Sequence, residues 1–204
     1  MFANHLEQHT NSTVRRVLTA AALFTAAAAA QPAGAQTSGI GLELRPFVGA
    51  YIPTGDQRDF VKDAVLVGGE ASWRVIPAFA VTGTFAWSPS KDRLTAGDQT
   101  LDIFQYDVGG ELRVPSGYGL GFAQLTPFVG FGVGGRTYSY RDLDVSSKSN
   151  VDGYGALGGD IGFGPIALRI EARDYVSQFK PLVGGGDTKT RNDIGLAAGV
   201  SYRF

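Results

Sequence analysis

Ile194-Gly195-Leu196-Ala197-Ala198-Gly199-Val200-Ser201-Tyr202-Arg203-Phe204 closes the chain, and its two faces differ in kind. Ile194, Leu196, Ala198, Val200, Tyr202 and Phe204 hold alternate positions, with Gly195, Gly199, Ser201 and Arg203 between them. A period of two puts successive side chains on opposite faces of a β-strand. One face of this strand is apolar throughout. The other is small, or polar.

The same alternation recurs seven times upstream, with apolar rows Leu42–Ile52, Val65–Val75, Phe79–Trp87, Phe104–Leu112, Leu125–Val133, Val151–Phe163 and Ile166–Ala172. Clusters of Gly, Pro, Ser and Asp separate the rows. No helical periodicity and no long apolar run competes with this reading. The connections alternate in length. Ile76-Pro77 and Gly164-Pro165 are tight, and Pro115 to Phe122 is somewhat longer. Pro53 to Asp63, Pro89 to Gln99, Ser139 to Ser149 and Ser177 to Arg191 are longer and polar. Short turns on one rim and long loops on the other are the layout of a membrane-spanning barrel. The expected fold is all-β: a closed, eight-stranded, antiparallel up-and-down transmembrane β-barrel over residues 36–204. Its apolar rows face lipid and its polar rows face inward. Trp73, Phe163, Tyr202 and Phe204 would form an aromatic girdle at the short-turn rim, and Trp87 and Phe104 one at the long-loop rim.

The first 35 residues have the pattern of an export signal. Arg15 and Arg16 precede an apolar stretch from Val17 to Ala30, and Ala33-Gly34-Ala35 supplies a small-residue cleavage site. About 14 apolar residues fall short of the roughly 20 needed to span a bilayer as a helix. The predicted domains are therefore a cleaved signal peptide, residues 1–35, and the barrel, residues 36–204. The protein is expected in the bacterial outer membrane.

Composition removes several functions. The 204 residues include no Cys, and the two His, His5 and His9, lie in the segment expected to be removed. A chain without His or Cys lacks most nucleophile–base pairs and nearly all zinc chemistry. Cleavage leaves 16 basic and 18 acidic residues, which is no footprint for nucleic acid. Gly130, Gly132 and Gly135 spell G-x-G-x-x-G with Asp152 downstream, but the following Arg136-Thr137-Tyr138-Ser139-Tyr140 does not open the helix that a dinucleotide site requires. These glycines are read instead as space for bulky neighbours in a narrow barrel. Asp142, Asp144 and Ser146 have calcium-loop spacing, but Ser147 stands where Gly is needed and Gly153 where a bidentate Glu is needed. No catalytic, cofactor-binding or metal residue is assigned, and no cofactor is expected.

The chain resembles the small eight-stranded outer-membrane barrel proteins of the OmpA/OmpX type, over the whole of its mature length. Gly199, Tyr202 and Phe204 are the most specific part of that likeness. They look like the signal read by the barrel-assembly machinery, which the resemblance implies as a partner during biogenesis, beside outer-membrane lipids. Ala197 departs from that signal, which usually has a polar residue there. Related barrels that act as lipid-modifying enzymes or proteases rely on an active-site His, and this chain's mature part would have none.

The inward rows carry a nearly balanced set of charges. The acids are Glu43, Glu70, Asp107, Glu111, Asp160 and Glu171. The bases are Arg45, Arg74, Arg113, Arg136, Arg169, Arg173 and Arg203. An eight-stranded barrel is only wide enough for its own side chains, and unpaired charges there would each cost several kcal/mol. A paired internal network is the expected arrangement. The sharper alternatives are a narrow gated, porin-like pore and an outer-membrane lipid-modifying enzyme without a His-based site, in which Glu111 and Glu171 could meet as an acid–base pair. Four long loops on a rigid scaffold suit contact with an extracellular ligand or surface. The function read from sequence is thus a non-enzymatic outer-membrane barrel serving envelope structure or loop-mediated binding. Leu44-Arg45-Pro46-Phe47-Val48-Gly49 and Leu125-Thr126-Pro127-Phe128-Val129-Gly130 echo each other and are read as a strand-opening device.

The mature protein should begin at Gln36 and fractionate with outer membranes. N-terminal sequencing that returns Met1 from membrane-inserted protein would refute the signal peptide.

Overall fold

The computed structural model describes residues 41–93, 99–141, 146–179 and 189–204. The expected leader, and Asp142 and Asp144 of the calcium-like spacing, lie outside the described residues. Eight long strands make the wall: β1 (Gly41–Pro53), β2 (Ala64–Ile76), β3 (Phe79–Lys91), β4 (Thr100–Arg113), β5 (Gln124–Tyr140), β6 (Lys148–Phe163), β7 (Ile166–Phe179) and β8 (Lys189–Arg203). Each pairs antiparallel with its chain neighbour, and β1 pairs with β8, so the sheet closes. Closure leaves no row of unpaired backbone groups facing lipid. A two-residue segment, Tyr118–Gly119, pairs with Gln124 and Leu125 inside the β4–β5 connection.

The register fixes the barrel's shape. Paired residues run from Glu43 through Ser72, Thr82, Gly109, Gly132, Tyr154, Tyr175 and Asp193, and return to β1 at Pro53. One circuit thus advances ten residues along β1. That stagger with eight strands implies a tilt of about 40° from the barrel axis. It also brings together inside the lumen residues far apart in sequence.

Strand faces follow the alternation. Val48, Trp73, Phe85, Val108, Phe131, Leu157, Ile170 and Leu196 are exposed outward, while Glu43, Glu70, Thr84, Asp107, Arg136, Arg169 and Ser201 are buried inward. The apolar row of β8, from Ile194 to Phe204, spans about 25 Å once tilted, the height of a lipid-facing band. Tyr202 packs edge-on against Phe204 with ring centroids 4.9 Å apart, and Phe85 stacks with Phe104 at 6.5 Å. At the tight-turn rim Phe163 stacks on Phe122 at 6.0 Å.

Two details differ from the sequence expectation. Strands run past the predicted loop starts, β3 to Lys91 and β7 to Phe179. Ladder hydrogen bonds continue above the lipid band because they need no apolar face. The echoed Pro residues also do not open strands. Pro46 is the sixth residue of β1, and the β1–β8 pairing is interrupted at Arg45 and Pro46, since Pro brings no N–H to a ladder. What the echo does share is an inward Phe. Phe47 lies over Gly68, and Phe128 over Gly158, where a Cβ would collide with the ring.

Ile170 is 65% exposed and pairs with Ala198 near the middle of β8's outward row. Ile170→Arg should lower stability by about 2–4 kcal/mol, and Thr190→Arg, outward at the loop rim, by about 0–1. Urea midpoints of refolded protein in lipid vesicles measure both. Equal costs would mean that the outward face does not meet a hydrocarbon layer.

Candidate functional site

The inward row of β1 carries Glu43 and Arg45, that of β4 Glu111 and Arg113, and that of β7 Arg169, Glu171 and Arg173. Opposite charges two residues apart share one face of a strand, so each strand offers a pre-paired unit. The stagger joins these units with Glu70 of β2 into a closed circuit. Glu43 is bound by Arg45, Arg45 by Glu70, Glu70 by Arg173, and Arg173 by Glu171. Glu171 then meets Arg169 at 2.7 Å, Arg169 meets Glu111, Glu111 meets Arg113, and Arg113 returns to Glu43 at 3.2 Å. Four carboxylates and four guanidinium groups alternate around this ring. All eight side chains are under a tenth exposed. Asp160 braces it from the tight-turn side, 3.3 Å from Arg169 and 3.6 Å from Arg113. Asp107 lies 3.4 Å from Arg173 on the other side. Arg74 and Arg203 add two further donors to Glu43 at the tight-turn rim.

Rings and small residues fill what remains. The Arg169 guanidinium lies 3.5 Å from the centroid of Phe128, and that of Arg173 lies 4.7 Å from Tyr154. Tyr154 in turn occupies the space that side chains at Gly109 and Gly132 would take. The G-x-G-x-x-G run lies within continuous β5, and its Gly132 makes room for this ring, while Gly130 faces Ala156 and Gly135 faces the outward Tyr106. A void lined by Phe47, Leu66, Glu70 and Arg173 measures about 30 Å³, room for little more than a water molecule.

Toward the long-loop rim the chemistry changes. Arg136 is fully buried, donates to Asp193 and, at 3.3 Å, to Gln105, and lies 3.7 Å from Asp152. Its guanidinium sits between the rings of Tyr51 and Tyr175, 5.4 and 4.9 Å away. Gln105 donates to Asp107 at 3.0 Å, which links this layer to the ring. Beyond it lies an apolar cluster of Tyr51, Leu66, Ala86, Leu101, Ile103 and Tyr138, joined by Val61. Val61 and Gln57 come from the β1–β2 loop, whose residues Gly55–Asp59 form a short 3-10 turn. Gln57 is 1% exposed and donates to the hydroxyls of Tyr51 at 2.9 Å and Tyr138 at 3.3 Å. Val61 bridges to Asp92 in the next loop, and Tyr140 donates to Asp92. The loop is thus folded into the barrel mouth as a stopper.

Of the thirteen inward charges read from sequence, all but Arg203 sit inside this lumen. Glu70, Glu111, Arg113, Arg169, Glu171 and Arg173 are ring members. Asp160 and Arg74 flank the ring, and Arg136 holds the next layer. Glu111 and Glu171 do not meet as a carboxylate pair: Arg169 stands between them and binds both. Arg203 is only half inside, with 48% of its side chain exposed. Sequence reasoning left Asp152, Asp193 and Arg191 out of the interior set, although all three are buried. Their inward phase on β6 and β8 was the available signal. It also missed the stopper, because Gln57 and Val61 lie in a loop without periodicity. Gly199 and Tyr202 pair with Phe47 and Leu44 of β1, and the Phe204 amide donates to the Leu42 carbonyl at 3.0 Å. These three residues help to seal the barrel.

Neisserial surface protein A (NspA) has the same fold, with a TM-score of 0.58 at 12% identity over 80% of this chain and 97% of that one. The outer membrane protein OprG from Pseudomonas aeruginosa gives 0.54 at 15% identity, over 84% and 99%. No curated protein matches the chain. A family model described as the outer membrane protein beta-barrel domain matches residues 18–204. A closed barrel with an apolar exterior, a salt-bridged lumen and a family match over most of its length places this chain in the outer-membrane β-barrel protein family.

Proposed function

We propose that the protein is a non-enzymatic, non-conducting scaffold in the outer membrane, whose loops on the long-loop rim make contact with ligands or surfaces outside the cell. The stopper carries this reading. Gln57 and Val61 fill the outer mouth above a lumen already packed with charge pairs and rings. A gated pore would need both the stopper and the Arg136 layer to withdraw. An acid–base enzyme would need a carboxylate free to exchange protons, whereas the ring carboxylates are each bound by two or more Arg residues. What the barrel offers to the outside is a rigid platform, with the β1–β2 loop anchored into its mouth and bonded to its neighbours.

The test is planar-bilayer recording of refolded protein over a wide voltage range. The scaffold reading expects no discrete conductance steps, in the wild type or in a Gln57→Ala variant that loosens only the outermost contacts. Reproducible, ion-selective steps from the wild type would overturn it in favour of a pore.

A further inference from the structure

The opposite mouth is not stoppered. A chamber of about 350 Å³ opens there between the β4–β5 connection and the tight β6–β7 turn, lined by Arg113, Phe122, Gln124, Asp160, Ser201 and Arg203. Charge around it is unevenly shared. Glu43 serves four guanidinium groups at once: Arg45, Arg74, Arg113 and Arg203. Arg45 and Arg113 have other carboxylate partners and Arg74 also feels Asp160, but Arg203 has only Glu43 within ion-pair distance among the described residues. The Nε of Arg74 is buried with no acceptor. Arg203 gives Glu43 its Nε–H at 3.0 Å, which leaves both terminal nitrogens unbonded within the described residues, on a side chain about half exposed. The backbone N–H of Arg203 bonds to the Pro165 carbonyl at 2.9 Å, which fixes this cation beside the chamber's rim.

The apolar side of the chamber is equally specific. Phe122 is 90% exposed, forms part of the chamber's lining, and stacks on Phe163 of the lipid-facing girdle. A half-exposed guanidinium with its terminal nitrogens unbonded and an exposed ring, both lining one chamber at the tight-turn rim, match an amphiphile with an anionic head. We propose that this mouth binds an inner-leaflet phospholipid. The phosphodiester would be held by the terminal nitrogens of Arg203, the headgroup by the polar wall of Gln124 and Ser201, and an acyl chain would lie along Phe122 and Phe163. The volume suits a headgroup. Guanidinium is the side chain best matched to phosphate oxygens.

The probe is phosphatidylglycerol, titrated against refolded full-length protein in detergent and read by native mass spectrometry, with glycerol 3-phosphate as the free-phosphate arm. The lipid should bind, and glycerol 3-phosphate at the same concentration should bind far more weakly. Arg203→Gln should weaken lipid binding about tenfold, the loss of one charge-assisted hydrogen bond. Phe122→Ser should weaken it too, whereas Lys91→Gln at the other rim should not. Heat-shifted gel mobility confirms that each variant is folded. Lipid binding unchanged in folded Arg203→Gln would overturn the site. Binding of glycerol 3-phosphate as tight as that of the lipid, insensitive to Phe122→Ser, would overturn its assignment to a lipid.

Discussion

A closed ring of four Glu and four Arg side chains in the lumen is the constraint on which the rest of this barrel depends. Eight strands with a stagger of ten enclose a space too narrow for bulk water. Any charge that points inward must be neutralised by another side chain. The ring does this with residues from β1, β2, β4 and β7, so it ties together strands on different sides of the wall. Burying ions is costly, and an apolar filling of equal volume could be as stable. An apolar lumen, however, would leave little difference between the two faces of each strand. A one-residue slip would then go unpunished. With the ring in place, the same slip would put Arg and Glu into lipid and Leu and Val into the lumen.

The ring also organises what lies on either side of it. Toward the cell exterior, Asp107 and Gln105 pass the hydrogen-bond network to Arg136, and Arg136 lies between tyrosine rings that begin the apolar stopper. On the tight-turn side the ring ends in Glu43, which binds four arginines and leaves the terminal nitrogens of Arg203 unbonded among the described residues at an open mouth. The two ends of one lumen are therefore chemically opposite. One is sealed by Gln57, Val61 and apolar side chains. The other is a polar chamber edged by Phe122.

Much of this was legible in the sequence, for a physical reason. Lipid outside and packed charge inside impose a strict period of two, so every inward Arg and Glu on β1, β2, β4 and β7 could be assigned a face. Glu43 with Arg45, and Glu111 with Arg113, even display their pairing as i, i+2 neighbours. The partners across the barrel were not legible, because they depend on the stagger, which no single strand encodes. Glu111 and Glu171 share a face and a depth, but Arg169 stands between them. The stopper was hidden for a different reason. Gln57 and Val61 belong to a loop, and their burial follows from how that loop folds back on Tyr51 and Tyr138.

The most direct test of the ring is a double-mutant cycle on two members that do not touch. Arg113→Met takes one cation from Glu43 and Glu111, and Glu70→Gln takes one carboxylate from Arg45 and Arg173. Each change alone leaves the lumen one charge out of balance and should cost up to about 3–5 kcal/mol, the range for breaking a buried ion pair. Arg45 already lies beside Glu43 and 3.6 Å from Glu111, so the missing cation and the missing carboxylate offset one another in the double variant. The ring predicts that the double variant, measured by urea unfolding in lipid, loses less than the sum of the singles by more than about 1 kcal/mol, well beyond the 0.3–0.5 of independent sites. Additive losses would mean that the lumen holds separate ion pairs and that no ring couples them.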